Sequence, residues 1–245
     1  MKNIALKICY DGTNYHGWQY QENGLTVQET IETAIKKATG EQIRVTGCSR
    51  TDAGVHALEY ILNFRSGTRI PAERLPYALN FYLPNDISAQ EAWEAPEDFS
   101  ARFSVKGKRY IYKILNHVFK NPFLSKYSWH FPYPLDLEKI NRAAAAFEGK
   151  HDFRGFMASG GQQRTTVRTV RACFAERTAP DLITVTVEAD AFLYNMVRII
   201  VGTLADAGSG KLDPDALPAL IASGDRRLGG ITAPPQGLFL QKVYL

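Results

Sequence analysis

The stretch Ile43-Arg44-Val45-Thr46-Gly47-Cys48-Ser49-Arg50-Thr51-Asp52-Ala53-Gly54-Val55-His56-Ala57-Leu58-Glu59-Tyr60-Ile61-Leu62-Asn63-Phe64 reads as two strands joined by a tight connection. Ile43–Cys48 is largely apolar, and Val55–Phe64 alternates, with Leu58, Tyr60, Leu62 and Phe64 on one face. Gly and Asp suit the turn between them, since Gly accepts φ > 0 and Asp can bond its own backbone. A turn with only that task does not need Arg50 and His56 as well. Chemistry concentrates on loops held by a rigid scaffold, so this connection is the first place to look for a site.

Outward from it, Asn3–Tyr10 alternates as a strand. Thr26-Val27-Gln28-Glu29 has the form of a capping box and opens a helix that carries Val27, Ile31, Ile35 and Ala38 and stops at Gly40. Downstream, Pro71 opens a helical stretch with Leu75, Ala78, Leu79 and Tyr82, and Pro76 is a local irregularity in it. Asp86–Trp93 closes the half as a strand.

The second half repeats that order. Lys108–Leu115 is a strand, and Asp136 caps a helix with Leu137, Ile140, Ala144 and Phe147 on one side, ending at Gly149. Thr166–Glu176 and Leu182–Ala189 are strands, Tyr194–Ala207 is a mostly apolar and therefore buried helix, Asp213-Pro214 starts a short extra helix, and Leu238–Tyr244 closes as a strand. The chain is thus expected to be α+β, with two βαββαβ (ferredoxin-like) halves, 1–100 and 105–245, joined near Glu97–Lys106. Each half makes an antiparallel sheet, and a cleft is expected between them. The segment His151–Gln163, with Gly155, Gly160 and Gly161, reads as a mobile loop.

Composition limits the function. The 245 residues are 45% hydrophobic and 22% charged, an ordinary globular balance, and the net charge of +4 permits a polyanionic partner without requiring one. The cysteines, Cys9, Cys48 and Cys173, are scattered with no ligand spacing, which indicates neither a disulfide framework nor a metal site. Met1–Lys7 is charged again too soon for a signal peptide. Phe192–Ala205, the longest apolar stretch, is too short for a bilayer and contains Asn195 and Arg198. A reduced, cytoplasmic protein is expected, without a membrane span.

Asp52 is either a turn aspartate or a catalytic carboxylate held ionised by a nearby cation. Arg50, two residues away, either pairs with that carboxylate or reaches out to bind phosphate. Lys106–Lys113 interleaves basic and aromatic groups, with Lys108, Tyr110 and Tyr112 on one face; it is a decorated sheet edge or a stacking and phosphate-binding surface. Arg164, Arg168 and Arg171 bracket the following strand, where Arg168 neighbours Thr165, Thr166 and Thr169. Arg198 sits in an otherwise apolar helix and either snorkels to solvent or calls for a carboxylate, with Asp52 a candidate, or for an anionic ligand. Cys48 and His56 suggest a thiol–imidazole pair, but a Cys ending an apolar strand usually packs as a small hydrophobe, so both are read as structural.

Taken together, these stretches resemble the TruA family of tRNA pseudouridine synthases. The matching residues are Tyr10–Gln19, Gly47–Ala57, Lys108-Arg109-Tyr110, Gly149–Phe153, Phe192–Arg198 and Thr232–Leu238. The resemblance implies a pseudouridine synthase fold and isomerisation of uridine in the anticodon arm of tRNA, at positions 38, 39 and 40. It implies a homodimer that uses no cofactor and no metal. Residue by residue, it makes Asp52 the essential aspartate, Arg50 the arginine linked to base flipping, Tyr110 the tyrosine that stacks on the base, and Arg198 the basic residue that pairs with the aspartate. Lys108 and Arg168 join Tyr110 and Arg50 as expected substrate contacts. Three positions depart from the family pattern: Ser49 replaces a usual Gly, Ile199 follows Arg198 where Asn is frequent, and Leu245 replaces an aromatic residue. Two other functions remain open on residues alone, a non-catalytic RNA-binding module and an enzyme with a Cys48 nucleophile.

Overall fold

The computed structural model describes residues 1–161 and 165–245, and these group into two compact units. Met1–Lys106 with Phe239–Leu245 form the first, and Gly107–Leu238 the second. Arg164, one of the basic candidates, and Gln163, the end of the expected loop, lie outside the described residues.

In the first unit, β1 (Lys2–Tyr10) runs antiparallel to both β3 (His56–Ser66) and β4 (Ile87–Glu94), and β2 (Thr46–Gly47) pairs antiparallel with β3. This is the split-βαβ arrangement that the order of elements predicts. Helix α1 (Val27–Thr39) begins where Thr26 accepts from the Glu29 N–H and ends at Gly40, whose φ of 77° is the left-handed stop expected of glycine. It buries Val27, Ile31, Ala34 and Ile35. Pro76 does not interrupt a helix that starts at Pro71. A 3-10 turn over Ala72–Arg74 comes first, and Pro76 sits in the opening turn of α2 (Leu75–Asn80), where its missing N–H costs nothing.

Two strand expectations change. Of Ile43–Cys48 only Thr46–Gly47 pairs, because the Val45 N–H goes to Glu32 Oε1 on α1 at 3.0 Å instead of to a strand. In β3 Leu58 is 46% exposed and not on a buried stripe, whereas Tyr60–Phe64 is buried on both faces. The segment after β4 covers the polar side: Asn63 Nδ2 donates to the Phe99 carbonyl and its Oδ1 accepts from the Ala101 N–H. After the closing segment, Phe239 and Leu240 of β10 (Leu238–Tyr244) pair in parallel with His56 and Ala57.

In the second unit, β5 (Gly107–Leu115) pairs antiparallel with β9 (Leu182–Ala189), β9 with β8 (Val167–Ala179), and β8 with β7 (Gly149–Asp152). A two-residue strand, β6 (Trp129–His130), adds in parallel to β5. Helix α3 (Leu137–Ala145) is capped by Asp136, which accepts from the N–H groups of Glu138 and Lys139. Helix α4 (Met196–Gly208) is buried over almost its whole length, and α5 (Leu217–Ser223) follows a 3-10 turn at Pro214–Ala216. The start of the expected mobile loop is instead anchored. His151 and Asp152 end β7, and Phe153 and Phe156 are fully buried, their rings 6.2 Å apart, so core burial overrides the glycine-rich composition.

Candidate active-site residues

The first unit holds the connection carrying Arg50 and Asp52. Its base is an aromatic platform: Trp18 stacks on Tyr60 at 4.1 Å, and Tyr10 lies 5.8 Å from Tyr60. A Cβ on Gly47 would meet the Tyr60 hydroxyl at 2.2 Å and the Trp18 ring at 2.6 Å, so only glycine lets the chain leave β2 across these rings. The Tyr60 hydroxyl then donates to the Ser49 carbonyl. That bond uses Ser49 backbone, which the departure from glycine there leaves intact.

Beyond Ser49 the loop is clamped by the end of β1 and the segment after it. Tyr10 Oη and Thr51 Oγ1 share a buried hydrogen bond of 2.8 Å, and the Trp18 N–H donates to the Thr51 carbonyl at 3.1 Å. Gly17, at φ 81°, lies so close that an added Cβ would sit 2.4 Å from that same carbonyl. The Val55 N–H closes a turn on the Asp52 carbonyl at 3.2 Å, with Gly54 at φ 76°. Asp52 is half-buried and Arg50 exposed. The Tyr10–Gln19 stretch is therefore the scaffold of the Asp52 loop. A sequence reading sees its pattern without its task, because the task is contact across some forty residues of chain.

His56 is 1% exposed. Its Nδ1 lies 3.1 Å from the Gly12 N–H and 3.0 Å from Asp11 Oδ1, and its ring stacks on Phe239 at 4.6 Å. Cys48 is 3% exposed and its N–H bonds the Ile61 carbonyl. Both are buried in the first unit, in line with the apolar stretches they border.

The second unit holds Lys108, Tyr110, Arg168 and Arg198. Lys108 is half-buried on β5 opposite Ala189. Tyr110 and Tyr112, expected on a stacking surface, are 5% and 0% exposed. Tyr110 meets Phe192 edge-on at 5.0 Å. Tyr112 donates to the Pro234 carbonyl at 2.7 Å, and burial pushes its phenol far above the usual range, partly countered by the nearby Arg198 charge. On the opposite face Arg109 pairs with Glu188 at 2.8 Å.

Arg168 donates through Nη1 to Thr165 Oγ1 at 3.2 Å and to the Val167 carbonyl at 2.6 Å. Its Nε is buried with no hydrogen-bond partner among the described residues, and desolvation lowers its pKa, offset in part by Asp190. Arg198, half-buried on α4, donates through Nε to the Ala233 carbonyl and through Nη1 to Asn195 Oδ1, both at 2.7 Å. These two bonds tie Arg198 to the residue before its own helix and to the segment before β10. Ile199 is fully buried in the apolar side of α4. The departure at that position therefore puts packing where the family often has an amide.

Among the described residues no His, Cys, Asp and Glu cluster could hold a metal ion, and no helix is long and apolar enough to cross a membrane. A family model described as tRNA pseudouridine synthase matches residues 8–104 and 143–244. The "tRNA pseudouridine synthase A" of Thermoanaerobacter sp. (strain X514) is 51% identical over 99% of both chains. The protein of the same description from Acetivibrio thermocellus is 49% identical over 100% of both. A solved structure described as an H/ACA RNP bound to a substrate RNA containing 2'-deoxyuridine aligns with a TM-score of 0.41 at 14% identity, covering 83% of this chain and 43% of that one. With both halves matched and full-length relatives near half identity, the chain belongs to the tRNA pseudouridine synthase family of isomerases.

Proposed function

We propose that this protein isomerises uridine to pseudouridine in the anticodon stem-loop of tRNA, at positions 38, 39 and 40, with Asp52 as the essential catalytic group. The observation that carries the residue assignment is the Asp52 loop. A carboxylate that only closed a turn would not need a buried Tyr10–Thr51 bond, a left-handed Gly17 and an aromatic floor to fix its backbone.

The chemistry breaks the C1′–N1 glycosidic bond, holds the detached base, forms C1′–C5 and removes the C5 proton. Asp52 acts on the sugar or the base. Arg198 is the cation that favours its ionised form, and Tyr110 contacts the base. Arg50, exposed on the same loop, fills the stack that the extracted uridine leaves, and that extraction costs a few kcal/mol. Lys108 and Arg168 contact phosphate. The chain works in the cytoplasm as a homodimer and needs neither cofactor nor metal.

The test is tritium release from C5-labelled tRNA. Wild type and Cys48→Ala release tritium, and Asp52→Asn does not. Sequencing of the product tRNA shows pseudouridine at 38, 39 or 40. Release by Asp52→Asn, or loss on changing Cys48 alone, overturns the assignment. No release by wild type leaves an RNA-binding module as the better description.

A further inference from the structure

Asn195 is the one non-glycine residue with positive φ among the described residues, at φ 60° and ψ 10°. A Cβ makes this region costly, although Asn bears it better than most residues. It stands at the N-cap of α4, where an Asn side chain usually accepts a hydrogen bond from the first turn of the helix. It makes no such bond. Its Oδ1 accepts instead from Arg198 Nη1 at 2.7 Å, three residues on and on the same side of the helix. Two local advantages, relaxed backbone and a capped helix, are given up for one contact to a guanidinium.

A strap over Gly229–Gly237 supplies the second contact. Ala233, 0% exposed, accepts from Arg198 Nε at 2.7 Å and returns its own N–H to the Arg198 carbonyl at 3.0 Å. The strap is tied to α4 through the Gly230 N–H on Thr203 Oγ1 at 2.9 Å. It also lies so close at Ile231 that a Cβ on Gly202 would overlap that carbonyl. Arg226 Nη1 holds the Gly230 carbonyl at 2.9 Å, and Tyr112 holds that of Pro234.

The geometry points to Asn195 as a positioning residue for the reaction: its amide oxygen, with the Ala233 carbonyl, fixes the plane of the Arg198 guanidinium. A long flexible side chain held at two points by oxygens on rigid elements keeps its guanidinium in one orientation. This inference rests on reading Arg198 as the basic residue of the active site.

The test separates backbone from amide. Gly adopts φ > 0 without strain but lacks the oxygen, so Asn195→Gly relieves the backbone and removes only the contact. Asn195→Gly is expected to fold, by circular dichroism, and to lose about 10- to 100-fold in kcat with KM little changed, as for a catalytic group displaced by about an ångström. Asn195→Asp keeps an acceptor and recovers most of that loss. The double variant Asn195→Gly/Arg198→Ala is no slower than Arg198→Ala. Wild-type kcat in Asn195→Gly overturns the inference, as does an Asn195→Asp variant equally impaired, or losses that add in the double variant. Wild-type kcat in Arg198→Ala removes the underlying reading of Arg198 itself, and the inference with it.

Discussion

Gly17 shows how little room the Asp52 loop leaves. Its φ of 81° alone costs a non-glycine residue about 1–3 kcal/mol, and an added Cβ would meet the Thr51 carbonyl at 2.4 Å. Gly17→Ala is therefore expected to lower the Tm and to cut tritium release by more than the folded fraction accounts for, because relief of the clash moves the residue next to Asp52. Tyr10→Phe removes one buried hydrogen bond, between Tyr10 Oη and Thr51 Oγ1. It should destabilise by about 1 kcal/mol in urea titration, with reduced kcat. An unchanged kcat in both variants would show that the clamp serves folding alone. As candidates, Arg50 and Arg198 stand out in the sequence because a turn does not need the one and an apolar helix does not favour the other, whereas Asp52 is ordinary in a turn and stands out through the resemblance. The roles of Asn195 and Ala233 were not, since an amide before a helix has an ordinary explanation in capping.

Elements followed the pattern wherever local signals agreed with packing. The bounds of β9 and β10 coincide with the alternation, and both long caps, Thr26 and Asp136, act where their spacing placed them. Thr26→Ala removes the acceptor for the Glu29 N–H and should cost about 1 kcal/mol, read as a fall in Tm without a change in KM. The pattern failed where a neighbour took the hydrogen bond, as Glu32 does from Val45. It failed again where burial tamed a glycine-rich segment, as Phe153 and Phe156 do after β7. Helix α4 starts at Met196 and not Tyr194, because the left-handed Asn195 cannot be helical.

For the molecule as a whole, charge gives the testable behaviour. Arg154 beside Asp152 and Arg227 beside Asp225 hold both carboxyls down at about 2. A depressed carboxyl contributes stability that is present above its ordinary value near 3.8 and is lost as pH falls through about 2. Both pairs are solvent-exposed, so their share of the acid loss should be shallow, weaker in high salt, and removed in Asp152→Asn/Asp225→Asn. A steep salt-insensitive fall between pH 4 and 2 would place the acid sensitivity elsewhere. Affinity for tRNA should fall with salt, and Arg168→Ala should reduce that slope by about one unit. An unchanged slope would remove Arg168 from the phosphate contacts.

Composition, periodicity and capping residues determined the α+β class, the order of strands and helices and the residue types able to carry the chemistry. Each of those is a local property, decided by a few neighbours along the chain. Tertiary structure alone decided that Tyr10–Gln19 clamps the Asp52 loop, that Tyr112 is a buried prop for the strap, and that Asn195 serves Arg198 instead of its helix. These depend on which of several available hydrogen-bond partners packing brings into reach, and for the Asp52 loop and for Tyr112 residues far apart in sequence settle that choice.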